Sequence, residues 1–558
     1  MAKTMGEVHE VPTTWTTGWT DIFNTGTWRS VMPVHQRRYA PCHAACPVSG
    51  EIPTWIQQLK KGDYQEAWLT LVANNPFPAV TGRVCHHPCE LKCNRNEYDE
   101  KVSVKTLERC LGDMALEKNW KLPTSDQLKD EKIAVVGAGP AGLSAAYQLR
   151  ARGFGVTIYE ARQQPGGLLY YGIPAYRLPR NILKGEMERL LQTGIELLAG
   201  TPLKSPADFK QLEEKYAAVF IATGAQRSLG LPELEGAAEV LDGLYFLERV
   251  NEGAPPELGS KVVVIGGGNT AVDAARCALR LGSRDVAILY RRGREQMPAQ
   301  AEEIAEAEEE GVKLELLAAP IALKKEGQKK ILLCRRMRLG APDASGRQRP
   351  EPVAGQTFAM EIDTLICATG AEADLTPLQG VLPAAGSLVQ VDGEQGTGRK
   401  GFFAGGDLTS RERYVASAIG TGRRGAAAIA RFLGVPEEIG KADGLDEDPV
   451  VFADINTYYF SSLPTLKKSK AAAARVADFR EIEPGIGLDE AAAEAERCFS
   501  CGNCLHCDNC FYFCPDMAVQ RDETAAEGYR VLDQYCKGCG LCAAECPRGA
   551  IVLKEEIK

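Results

Sequence analysis

Apolar positions along this chain follow two alternating rhythms. From Lys132 the sequence reads KIAVVGAGPAGLSAAYQLRARGFGVTIYEA. The continuous apolar run Ile133 to Val136 has the length of a buried strand. At Gly137 it gives way to alanine and leucine at helical spacing, and a second apolar run, Val156 to Tyr159, ends at Glu160. The succession returns from Lys261 as KVVVIGGGNTAVDAARCALRLGSRDVAILYRR. Strand, glycine turn, helix and strand describe a βαβ unit, so the pattern predicts two doubly wound units. A third run, Gly401-Phe-Phe-Ala-Gly-Gly-Asp407, leads to another acid and a helical stretch from Val415, which reads as the chain returning to the first unit. Residues 302–310 have the acidic, helical composition of a solvated face.

The glycine turns carry specific chemistry. In Gly137-x-Gly139-x-x-Gly142 the first glycine permits the tight turn and the second lets backbone approach a pyrophosphate. The third packs helix against strand, and Glu160 stands where a ribose is bonded. In the second unit Gly266-x-Gly268-Asn269 opens the helix, but the following strand ends Tyr290-Arg291-Arg292 without an acid. An acid there would repel a 2′-phosphate, whereas arginines grip it, which favours NADPH over NADH. Two units predict two nucleotides, flavin in the first and nicotinamide in the second. No CxxC lies between Gly137 and Glu496, so a thiol–disulfide relay is not expected, and Cys277, Cys334 and Cys367 read as buried fillers.

The chain has 558 residues, 44% hydrophobic and 25% charged, enough for about three or four domains. A net charge of −9 argues against nucleic acid as partner. No apolar run has the length of a membrane span and no secretory leader is read at the start, so a cytoplasmic protein with reduced thiols is expected. Nineteen cysteines change the picture most. Cys504, Cys507, Cys510 and Cys514-Pro are spaced x2, x2, x3, and Cys536, Cys539, Cys542 and Cys546-Pro repeat that spacing. In such a run three thiolates hold one cubane and the fourth crosses to the other. One cluster then takes Cys504, Cys507, Cys510 and Cys546, and the second takes Cys536, Cys539, Cys542 and Cys514. Zinc or disulfides do not call for two matched runs of four.

Other motifs carry a resemblance. Cys46-Pro-Val-x3-Ile52-Pro53, Gly82-Arg-Val-Cys85-x3-Cys89-x3-Cys93, and Gly166-Gly167-Leu-Leu-Tyr-Tyr-Gly-Ile-Pro174 with Arg177-Leu-Pro occur in order. Over residues 40–435 the chain resembles the small (β) subunit of NADPH-dependent glutamate synthase and its relatives. The stretch after Cys501 resembles the ferredoxin-like δ chain of 2-oxoacid:ferredoxin oxidoreductases. The resemblance implies an N-terminal helical iron–sulfur domain, FAD in the first unit with Gly167 and Asp407 among its contacts, and NAD(P)H in the second. The family's Glu-Ala-x-Arg-Cys-x-x-Cys segment usually precedes the first cysteines; here it stands displaced as Glu494-Ala-Glu-Arg-Cys498-Phe-Ser-Cys501. Folded back, it would give one cluster on Cys42, Cys93, Cys498 and Cys501. A second would use Cys46, Cys85 and Cys89 with a non-cysteine ligand, which the resemblance implies is Glu108. Cys110 in place of Glu108, or a single cluster there, are the rivals.

The expected architecture is multidomain α/β. An arm at 1–40 precedes a helical Fe–S domain at 41–125. The FAD domain spans 130–255 and 372–435, with the NAD(P) domain nested at 256–371. A connector, 436–497, leads to an α+β bacterial-type ferredoxin domain at 498–558. The tryptophans Trp15, Trp19 and Trp28 in the arm suit either a partner or the chain's own core. His43, His86, His87 and His506 read as solvated or packed neighbours of cysteines, with tuning of potentials or ligation as the alternative. The expected activity is electron transfer between NAD(P)H and an iron–sulfur partner, a soluble ferredoxin or another subunit such as a 2-oxoacid oxidoreductase or sulfite reductase. The cofactors perform the chemistry, so no catalytic side chain is assigned. The alternative is a wiring subunit with a silent nicotinamide site.

Overall fold

The computed structural model describes residues 26, 29–234, 240–326, 329–342, 346–435, 448–463, 472–525 and 527–556. The first apolar rhythm folds into a five-stranded parallel sheet. Its strands run in the order Phe402–Ala404, Ala218–Ile221, Lys132–Val136, Gly155–Tyr159 and Glu196–Leu198. Nearly every position of the three central strands is buried, as parallel strands covered on both faces require. The helices Pro140–Ala151 and Val415–Phe432 pack so closely that a Cβ on Gly422 would overlap the Ala141 carbonyl.

The second sheet is also parallel and five-stranded. Its order is Lys313–Leu316, Asp285–Tyr290, Lys261–Ile265, Thr364–Cys367 and Val240–Asp242. The last strand shifts the expected boundary at 256, because residues 240–242 pair with the nicotinamide-side sheet. A three-stranded antiparallel sheet, Ala318–Glu326, Lys329–Pro342 and Gln348–Ile362, is appended to this unit. Between the units, Arg227–Ser228 pairs antiparallel with Ala371–Glu372. Each strand lies just beyond an Ala-Thr-Gly turn, where Gly224 and Gly370 take φ of +74° and +121°.

The helical domain is built from Ile52–Lys60, Tyr64–Val72, Pro78–Val84 and Val104–Glu117. Two helices cross there with backbones touching: a Cβ on Gly82 would overlap the Arg109 backbone, and one on Gly112 that of Ala79. The core includes Trp55, Leu59 and Leu111, and also Ala491 and Ala495 from the helix Leu488–Glu496. The connector thus inserts into the N-terminal domain.

Two expectations change. The tail of the arm, Val31–His35, forms an antiparallel pair with Ile551–Glu555, so that part of it completes the ferredoxin domain. Trp15, Trp19 and Trp28 lie outside the described residues. The acidic helix Ala301–Glu309 is not simply a solvated face: Glu303 is held by Arg177, and the adjoining Glu310 is buried between Arg276 (2.6 Å) and Arg280 (2.8 Å). Those charges face other elements of the protein, where only paired groups tolerate burial. They also fix residues 475–483 as a strap. Arg280 donates to the Arg475 carbonyl at 2.8 Å, the Ile482 N–H donates to the Tyr176 carbonyl at 3.1 Å, and Glu481 takes Arg83 (2.7 Å) and Arg109 (2.9 Å).

Candidate functional site: a dinucleotide crevice and four cysteine sets

A crevice of about 290 Å³ opens beyond the carboxyl ends of the first sheet's strands, the position at which doubly wound sheets bind ligands. Gly137, Gly139, Glu160, Gly167 and Asp407 line it, together with Asn269 of the second unit. Gly137 and Gly167 adopt φ of +104° and +54°, and a Cβ on Gly139 would meet nothing, which leaves open room beside the helix start. Glu160 accepts the Ala138 N–H at 2.7 Å and the Arg162 N–H at 2.8 Å, one on each oxygen. A carboxylate has further acceptor sites, so this one is oriented and still able to take ribose hydroxyls. Burial raises the Asp407 carboxyl to about 6, with Arg413 opposing. Such a desolvated acceptor fits a polyhydroxylated ligand. Gly142, expected both among the FAD contacts and as a packing glycine, does not line the crevice; its missing Cβ admits the Gly137 carbonyl.

In the second unit a Cβ on Gly266 would overlap the Ala368 carbonyl, and Gly268 has only Pro298 near it. Asn269 begins the helix and faces the crevice. Arg291 is exposed at the strand end, whereas Arg292 is buried and donates from Nε to the Gln348 carbonyl at 2.8 Å. His86, expected as a solvated or packed neighbour of Cys85, lines the crevice. Its Nε2 lies 2.8 Å from Asn269 Nδ2 and its ring 4.3 Å from that of Tyr414. This one residue joins helical domain, nicotinamide unit and flavin unit. Only its place beside Cys85 hinted at this.

Of the four expected ligand sets, two line cavities of their own. Cys42, Cys93, Cys498 and Cys501 line one cavity, and Cys46, Cys85, Cys89 and Glu108 line another. Ile52 and Val104 belong to both walls, so the two are neighbours. The segment carrying Cys498 is anchored by buried charges: Glu494 accepts the Ser103 N–H at 2.7 Å, and Arg95 donates to the Arg497 carbonyl at 2.7 Å. Asn94 Nδ2 lies 3.5 Å from Cys501 Sγ. Glu108 accepts from Asn75 and Thr81, each at 2.6 Å, and burial raises its carboxyl to about 7. Cys110 packs on the domain core and lines neither cavity. In the ferredoxin domain Cys510, Cys514, Cys536, Cys542 and Cys546 are buried in one cluster with Cys504, whereas Cys507 and Cys539 are exposed. His35 Nε2 from the paired arm lies 3.4 Å from Cys510 Sγ.

Desolvation raises the thiols of Cys42 and Cys89 well above the ordinary cysteine value and that of Cys85 to about 12. Thiolates this deep are costly unless cationic iron meets them, so the donor sets fit iron–sulfur clusters. Among the described residues no three His, Cys, Asp or Glu side chains close to the spacing of a single ion. A cubane holds its thiolates wider apart than one ion does. Among the described residues no helix is long and apolar enough to cross a membrane.

Comparisons with known proteins find three family matches along the chain. Residues 131–422 match the family described as pyridine nucleotide-disulphide oxidoreductase. Residues 35–120 match dihydropyrimidine dehydrogenase domain II, 4Fe-4S cluster, and residues 530–552 match a 4Fe-4S binding domain. The β subunit of an NADP(+)-dependent formate dehydrogenase from Moorella thermoacetica is 39% identical over 497 residues, 83% of this chain and 70% of that one. The β subunit of an NADPH-Fe(3+) oxidoreductase from Geobacter sulfurreducens is 36% identical, over 83% of this chain and 75% of its own. The glutamate synthase [NADPH] small chain of Azospirillum brasilense is 33% identical, over 70% of this chain and 85% of its own. The chain belongs to the pyridine nucleotide-disulphide oxidoreductase family, in the iron–sulfur form typified by the glutamate synthase small chain, and is an electron-transferring oxidoreductase that uses FAD, a pyridine nucleotide and [4Fe-4S] clusters.

Proposed function

We propose that the chain moves electrons between NADPH and an iron–sulfur partner, with FAD in the crevice and a [4Fe-4S] cluster at each of four ligand sets. Bound there, FAD exchanges a hydride with nicotinamide and single electrons with the clusters, which carry one electron each. Gly137, Gly139 and Gly167 admit the dinucleotide backbone, and Glu160 and Asp407 take its hydroxyls. Gly266, Gly268 and Asn269 form the cradle for NADPH, and Arg291 beside the anchored Arg292 meets the 2′-phosphate. Cys46, Cys85, Cys89 and Glu108 form the set nearest the flavin. Ala416, one residue from the crevice-lining Val415, stands in its wall, and Pro47 packs on the same helix at Gly420. Cys42, Cys93, Cys498 and Cys501 come next, followed by the two sets that exchange Cys514 and Cys546. The partner, another redox subunit or a soluble ferredoxin, docks where Cys507 and Cys539 are exposed, in a reducing compartment such as the cytoplasm.

The observation that carries this reading is the meeting of Cys42 and Cys93 with Cys498 and Cys501 around one cavity. Anaerobically reconstituted protein should hold about sixteen irons per FAD, four per cluster. Cys498→Ser should remove about four of them while the ferredoxin-domain signals persist. A wild-type content near twelve, or loss of only the ferredoxin clusters in the variant, overturns the ligand sets. Absence of dye reduction with either nicotinamide overturns the activity.

A further inference from the structure

Between the second and third ligand sets stands a half-buried cation, Arg548. Arg548 follows Cys546-Pro547, and its carbonyl accepts the Gly502 N–H at 2.7 Å. Its Nη1 donates to the Phe499 carbonyl, and its guanidinium lies over the Phe460 ring, 4.9 Å from the centroid. Phe499 and Gly502 flank Cys498 and Cys501 in sequence, so the side chain stands against the set reaching into the helical domain. Its backbone belongs to the ferredoxin domain. Burial works against its charge, and its Nε has no hydrogen-bond partner among the described residues. Arginines drawn partly out of water are ordinarily met by carboxylates. The groups acting on Arg548 are instead the sulfurs of Cys498, Cys507, Cys501 and Cys546, two from each ligand set.

We propose that Arg548 is a positioning residue shared by two clusters: its one fixed charge raises the reduction potential of both, at the step where electrons pass between helical domain and ferredoxin domain. The proposal rests on the ligand sets given above. Adding an electron makes a cluster more negative, and a nearby cation in a low-dielectric surrounding favours that state. Hydrogen bonds and charge near the sulfurs are among the levers that set cluster potentials. Because Arg548 faces both sets, its loss lowers two potentials together. The step between those two clusters then stays nearly level, while both move away from the flavin and the outermost cluster.

The test is an anaerobic redox titration of the full reconstituted chain followed by electron paramagnetic resonance. Wild type is compared with Arg548→Gln, Arg548→Met and Arg548→Lys. The Gly502 contact is made by backbone, so the loop keeps that attachment in every variant. In the Gln and Met variants two of the four midpoint potentials should fall together. The reduced-to-oxidised ratio at fixed ambient potential should drop about tenfold for each, or about 59 mV for a one-electron couple. Arg548→Lys, which keeps the charge, should fall less. Four unchanged potentials, a fall in one only, or equal falls in Lys and Gln overturn the proposal. Iron content separates the causes. About sixteen irons with a single shift means that Arg548 does not serve both clusters. About twelve means that the ligand set on Cys498 is itself wrong.

Discussion

Arg291 is exposed at the end of its strand, whereas Arg292 is already tied to the Gln348 carbonyl. Arg291→Ala should therefore raise KM for NADPH about tenfold or more, the worth of a charge-assisted hydrogen bond, and leave KM for NADH unchanged. Equal effects on both in steady-state kinetics would remove the 2′-phosphate from the argument. Residue-scale sequence reading marks Glu108 only through the family resemblance, and its carboxyl lines one cavity with Cys46, Cys85 and Cys89. His86 shows how such reading fails. Its partners Asn269 and Tyr414 lie in two other units, and no local spacing records a meeting made by three separately folded segments.

At the scale of elements, the βαβ units were legible because a buried parallel strand, a glycine turn and a helix each leave a periodic trace. The appended sheet, residues 318–362, was not. Its strands alternate weakly, and many of their positions are half-buried or exposed. The crossing of helices Pro78–Val84 and Val104–Glu117 depends on Gly82 and Gly112, and it sets Glu108 beside Cys85. Gly112→Ala places a methyl group into the Ala79 backbone. Overpacking of this kind costs roughly 1–3 kcal/mol. The variant should lose about 3–8 °C in Tm and retain less than the full iron of the adjoining cluster, read by calorimetry and iron analysis. Unchanged iron would separate the helix crossing from the ligand geometry.

Across the whole molecule, segments distant in sequence share single structural units. The helix Leu488–Glu496 is core for the helical domain, residues 31–35 are an edge strand for the ferredoxin domain, and the strap at 475–483 ties both dinucleotide units to the rest. Removing the clusters with oxidant and chelator should expose residues 31–60 and 485–510 to protease at the same rate, because neither segment keeps its place without the other. Limited proteolysis with mass spectrometry reads this, and protection of one segment after the other is cut would contradict it. The shared cavity also orders the protein's history. Asn94 and Cys501 stand 407 positions apart. At about 5–20 residues per second, roughly 20–80 s of synthesis separate them. The first cysteines of that cavity leave the ribosome long before the last, so a cluster held by all four could be seated only once Cys501 has been made, and until then those thiols need shelter from oxygen and stray metal.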